Sequence, residues 1–172
     1  MSVLPILKVP EPILHKKSDK VKDFDEETLK IIVNLEETLW NTREKGVGLA
    51  APQLGYTKRI FAAHRILKKD VDPLRYVFIN PEITKRSTAQ EIGWEGCLSI
   101  PDTYCKVQRS KEIVVEFLDK SGNKQKLKTS GFFARVIQHE IDHLDGILIL
   151  NKCIGEPHTE KELDDILAKE RE

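Results

Sequence analysis

A chain of 172 residues with 40% hydrophobic content can bury one core of ordinary size, so a single domain over residues 1–172 is the starting expectation. Lys plus Arg number 28 and Asp plus Glu number 28, which excludes a uniform field that would draw the chain onto nucleic acid or an anionic membrane. No apolar run approaches bilayer length, and no basic start, apolar run and small-residue cleavage site open the chain in that order. Cys97, Cys105 and Cys153 are odd in number and lack the paired spacing of a zinc ribbon or a small secreted scaffold, so a reducing, cytoplasmic setting is expected. An organellar protein missing its transit peptide would read the same way.

The first helix is predicted from Asp23, with Asp23 and Glu26 as a capping box and Leu29, Ile32, Val33, Leu35, Leu39 and Trp40 at helical spacing, ending before Gly46. The following GVGLAAPQLG is too apolar for a solvated loop and reads as buried backbone approached closely by another group. Strand-like runs follow at Arg59 to Ile66, Tyr76 to Asn80, Lys111 to Leu118 and Lys124 to Thr129, the last two joined through Ser121, Gly122 and Asn123. Gly131 opens a second helix, with Phe132, Val136, His139 and His143 on one face and Gly146 as its stop. A short apolar strand over Ile147 to Leu150 and an acidic terminal helix carrying Leu163, Ile166 and Leu167 complete the chain. The expected class is α+β: antiparallel sheets packed around a central helix, with an N-terminal and a C-terminal helix.

The chemistry concentrates in His139-Glu140-Ile141-Asp142-His143. Two histidines four apart on a helix stand one turn from each other and can chelate one ion, while Glu140 can accept a proton from water at an open position. Two imidazoles leave a hydrolytic site one protein ligand short. Cys97, in the tight segment EGCLS, is the leading candidate, although a lone cysteine is more often an inert buried residue; Cys105 and Cys153 are read as inert.

Three segments, Gly46 to Gln53, Glu95 to Ser99 and Gln138 to Gly146, resemble in order and spacing the signature motifs of the peptide deformylase family. The resemblance runs from PILKVPEPIL near the N-terminus to about Leu150. It implies removal of the N-formyl group from formylmethionyl nascent peptides with release of formate. It also implies Cys97, His139 and His143 as ligands of one divalent metal, typically Fe(II) with Zn(II), Ni(II) or Co(II) able to substitute. Glu140 becomes the proton carrier, and Gln53 with the backbone N–H of Leu98 the oxyanion donors.

Val47 and Gly48 would hold the substrate backbone as an added strand, unless the segment is merely a tight turn. Gly96, Phe132 and Val136 are expected at the substrate pocket, core packing being an equally good account of Phe132 and Val136. The family pattern pairs Glu95 with Arg109; Tyr104 stands where some members carry arginine, and Arg135 either reaches the cleft mouth or is solvated. A nascent-chain substrate implies transient ribosome contact, yet Glu156, Glu160, Glu162, Asp164, Asp165, Glu170 and Glu172 outweigh Lys161, Lys169 and Arg171, so no basic tail docks on RNA. Two rival expectations are a zinc peptidase with Glu160 or Glu162 as third ligand, and a metal-binding relative without turnover.

Overall fold

The computed structural model describes residues 3–41, 46–67 and 72–170. Helix α1 (Glu26–Asn41) begins where the Asp25 carboxylate accepts the Thr28 N–H at 2.8 Å, so Asp25 replaces the expected Asp23 and Glu26 box. Asp23 instead offers its carbonyl to the Thr28 hydroxyl at 3.1 Å. The buried stripe is Ile31, Ile32, Leu35 and Leu39; Leu29 and Val33, placed in the apolar series by spacing, are exposed. Their positions fall about a third of a turn or more from the centre of the packed face, which is narrower than the run of apolar letters suggests.

Strand β1 (Gly48–Ala50) pairs antiparallel with β2 (Ile60–Arg65), which pairs with β3 (Leu74–Arg86). Strand β6 (Glu112–Leu118) lies beyond β3 and carries β7 (Lys124–Ser130) on its far side, giving a five-stranded sheet with β1 at one edge. Alternation along β1 and β2 sends Leu49, Ile60 and Ala62 towards the α1 cluster and Ala50, Phe61 and Ala63 towards the opposite face.

That opposite face receives α2 (Gly131–Leu144), whose Phe133, Ala134, Val136, Ile137, Ile141 and Leu144 pack on Phe61, Phe78, Ile113 and Val115. Gly146 ends the helix at φ 73, and a Cβ there would lie 2.6 Å from the His15 carbonyl oxygen, so both conformation and space require glycine.

The plural sheets expected are present, but the strands of the second one were not located by the pattern. This second sheet comprises β4 (Gln90–Cys97), β5 (Ile100–Ser110) and β8 (Ile154–His158), in that order, over a cluster containing Leu14, Val107, Leu148 and Ile149. The strand expected over Ile147 to Leu150 is not formed: Ile149–Lys152 is a 3-10 turn that presses Ile149 into this cluster and leaves Leu150 exposed. Helix α3 (Glu160–Lys169) follows, closed by a Thr159 and Glu162 capping box and seated through Leu163.

Cys105 and Cys153 form a disulfide between β5 and the segment entering β8, leaving Cys97 as the free cysteine among the described residues. A sequence separation of 48 gives such a pair no local signature, and the reading of Cys105 and Cys153 as inert unpaired residues is corrected here. No described helix is long and apolar enough to cross a membrane.

Ile137 is fully buried between α2 and the sheet. Ile137→Ala should lower the unfolding free energy by about 2–5 kcal/mol in denaturant titration. A much smaller loss would show that α2 is not seated as described.

Candidate active site

The apolar face of α2 is committed to the five-stranded sheet, so its other side delivers His139 and His143 towards the second sheet, with ring centroids 4.9 Å apart. Cys97 arrives from the end of β4, where the pairing register slips between Gly96 and Cys97 and the chain turns into β5. Its sulfur lies 3.2 Å from His143 Nε2. Ligand atoms of Cys97, His139 and His143 all fall within 4.8 Å of one another, the spacing a single small cation needs.

The donor set fits a metal on two further observations. His139 Nδ1 is 3.0 Å from Glu95 Oε2, which leaves Nε2 for an ion and fixes the ring as outer carboxylates do in metal centres. Burial would raise the Cys97 thiol, yet the imidazoles of His143 and His139 bring it down to about 5, so the sulfur is a thiolate at neutral pH.

Glu140 is buried, its Oε2 has no hydrogen-bond partner among the described residues, and its carboxyl packs on the backbone of β1. A Cβ on Gly48 would lie 2.7 Å from Glu140 Cδ, so that glycine is the space the acid occupies. Burial pushes the Glu140 carboxyl up to about 7, against the lowering pull of His139 and His143. Gln53 is locked from both ends: its Oε1 accepts the Ala50 N–H at 2.8 Å, and its Nε2 donates to Ser99 Oγ at 3.0 Å with Cys97 Sγ at 3.9 Å.

Behind the histidines sits a buried charge network. Arg109 donates to both Glu95 oxygens at 2.9 Å through Nε and Nη2, and through Nη1 to Asp142, which also takes Lys152 at 2.7 Å. Arg135 adds a 2.9 Å bond to Glu95 and further bonds to the carbonyls of Glu91 and Val107. It is therefore a buried bracing residue that lines the cleft wall, and not a solvated one. Burial works against the Glu95 charge, but Arg109 and His139 hold its carboxyl well below the usual carboxylate range.

A cleft of about 620 Å³ opens over this centre and is lined by Val47, Gly48, Gln53, Gly96, Leu98, Phe132, Val136, His139 and Glu140, gathering residues singled out from three separate segments. Val136 faces both cleft and core, whereas Phe132 is 58% exposed and does not serve the core. Tyr104 lies across Gly96, where a Cβ would meet its ring at 2.8 Å. Glu162 is spent on the Thr159 cap and Glu160 stands at the cleft rim, so neither joins the Cys97, His139 and His143 group.

Sequence reasoning missed Asp102, Asp142 and Ser99. Asp102, at φ 48, accepts the Glu160 N–H at 2.7 Å and pins α3 to the rim. Asp142 and Ser99 lay inside the motifs already singled out, but their partners are 33 and 46 residues away.

The sequence matches the family model of polypeptide deformylases over residues 3–158. The chain belongs to the polypeptide deformylase family. It is 39% identical to a peptide deformylase of Thermodesulfovibrio yellowstonii, covering 88% of this chain and 90% of that one. The crystal structure of peptide deformylase from Thermotoga maritima superposes with a TM-score of 0.79 at 36% identity, over 90% of this chain and 99% of that chain. That from Ehrlichia chaffeensis in complex with actinonin gives 0.82 at 34%, over 98% and 96%. These relations make the chain a hydrolytic enzyme of the deformylase class, and the α+β architecture is that of the family's known structures.

Glu95→Gln should cost about 3–5 kcal/mol, since it strands two buried guanidiniums. The folded-state carboxyl is depressed, so its contribution is complete above the ordinary value of 4.5 and is lost as pH falls below it towards the folded value. Melting curves of wild type and variant should therefore converge on acidification; a gap independent of pH would contradict the network's charge.

Proposed function

We propose that the protein hydrolyses the N-formyl group from the N-terminal formylmethionine of nascent polypeptides, releasing formate and a free amine. The reading rests on the Glu140 carboxyl, whose Oε2 has no partner among the described residues, held beside the Cys97, His139 and His143 group at the floor of a cleft one wall of which is a sheet-edge strand.

Cys97, His139 and His143 are the residues that would hold the ion, Fe(II) in this reading, with Zn(II), Ni(II) or Co(II) also suited to one thiolate and two imidazoles. When bound, the ion supplies Lewis acidity, polarising the formyl carbonyl and acidifying the attacking water. The thiolate donates charge and weakens that acidification, which makes a carboxylate base at Glu140 the more necessary.

Glu140 takes a proton from water as the oxygen attacks the formyl carbon, then gives it to the departing amine when the C–N bond breaks. Gln53 Nε2 and the Leu98 N–H meet the negative oxygen as it forms. Because Ala50 and Ser99 already hold the Gln53 amide, that donor needs little reorganisation. The outer edge of β1 at Gly48, with Val47 just before it, carries no further strand among the described residues and accepts the peptide backbone as an added strand, with Gly96 keeping the opposite wall low and Phe132 and Val136 flanking the methionine side chain. Such a substrate is met where nascent chains leave the ribosome, in the cytoplasm or an organelle; α3, with its acidic excess, is not a surface for ribosomal RNA.

The test is formate release from a formyl-methionyl peptide, measured anaerobically with Fe(II)- or Ni(II)-loaded protein. Glu140→Gln should keep its metal and lose about 10²–10⁴-fold in rate, and Gln53→Ala about 10²–10³-fold. Cys97→Ala should lose the metal; retention of the ion together with cleavage of internal peptide bonds would sink this reading.

For the pH dependence, the base must be ionised, so kcat/KM is full above the Glu140 pKa and falls as pH drops through it. A bound cation lowers that value from about 7, placing the acid limb at or below neutrality. An alkaline-only optimum, with activity rising continuously above pH ~9, would remove Glu140 as base.

A further inference from the structure

A second cavity, of about 270 Å³, shares no lining residue with the cleft and has no apolar side chain in its wall. Three of its residues are cations, Arg86, Arg109 and Lys152, against the single carboxylate of Asp142. Asp142 is already committed to Arg109 and Lys152. Counting also Glu95, which binds the other side of Arg109, three positive charges face two negative ones, and Glu95 is itself shared with Arg135 and His139. Arg86 has no ion pair among the described residues; its one side-chain partner there is the neutral Gln138 Oε1, at 3.0 Å.

The wall is built rather than incidental. Arg109, Gln138 and Ser110 are 4%, 3% and 6% exposed, and each is fixed by several bonds. Gln138 Oε1 also accepts the Ser110 N–H at 3.1 Å, and its Nε2 donates to the carbonyls of Ser110 and Ala134, each at 3.0 Å. This immobile amide is what positions the Arg86 guanidinium. Ser110 Oγ accepts from Gln90 Nε2 at 3.2 Å, so its own proton is left to donate.

We infer that this cavity binds a phosphate group, as inorganic phosphate or as the terminal group of a small phosphate ester. A guanidinium, an ammonium and a hydroxyl from different walls supply donors in several directions, which suits a multiply charged tetrahedral oxyanion better than a halide. Arg109 donates into the support of His139 from the same site, so an occupant would sit one side chain from the residue that orients a metal ligand.

The experiment is isothermal titration of the metal-loaded enzyme with inorganic phosphate and, separately, with a 5′-mononucleotide, at fixed low ionic strength with chloride as control. Wild type should give saturable one-to-one binding that chloride does not reproduce. Arg86→Ala and Lys152→Ala should each weaken it about tenfold or more, the scale of one charge-assisted hydrogen bond. Melting temperature and metal content of both variants are checked first, and Arg86→Lys should recover part of the affinity. Competition between the two ligands identifies an ester as occupant, while binding of inorganic phosphate alone identifies the free anion. No saturation in wild type, or an isotherm unchanged in Arg86→Ala, overturns the inference; the latter places the anion elsewhere, including on the metal. Neither outcome bears on formate release, which is measured separately.

Discussion

One buried carboxylate holds the rest of the centre in place. Glu95 projects from β4 between Arg109 of β5 and Arg135 of α2, and its remaining lone pairs meet the His139 ring. An isolated anion at that depth would be protonated or expelled; with two guanidiniums about it, the charge is kept and turned into geometry. The three-stranded sheet is thereby tied to the helix that carries both histidines. The network also explains why β4 and β5 tolerate Glu95 and Arg109 in their buried interiors: each meets a partner from another element.

The same fact decides what could be read from the letters. Helix α2 was legible because its apolar positions follow a 3.6-residue period and its imidazoles fall one turn apart. The strands β2, β6 and β7 were legible as short β-type runs with turn residues between them. Strands β4 and β5 were not, since Glu91, Glu95, Lys106 and Arg109 break the apolar alternation that marks a half-buried strand. Pairing that is satisfied only in three dimensions looks like a loop in one. Cys97 illustrates the limit for the site: the need for a third ligand made it the leading candidate, but as a lone thiol it could equally have been inert, and the resemblance of its segment strengthened the assignment.

Other misses share that physical origin. The Asp25 cap lies two residues from the acid whose spacing drew attention, because Asp23 has its carbonyl, not its carboxylate, turned to Thr28. The Cys105 and Cys153 pair depends on β8 returning to lie beside β5, a topology that no local pattern encodes. Arg135 was read by its helical position alone, while its role is set by the carbonyls of a sheet 28 to 44 residues earlier in the chain.

The origin of the three candidate ligands has a mechanical consequence. His139 and His143 ride on a helix bedded in the larger sheet, and Cys97 belongs to the smaller one, 46 residues upstream of His143. An ion shared by them would act as a removable rivet between two layers of the molecule, closing a long loop and drawing the unfolding equilibrium towards the native state in proportion to its occupancy. Heat resistance and catalytic competence would then be gained or forfeited together whenever the cell's supply of that ion changes.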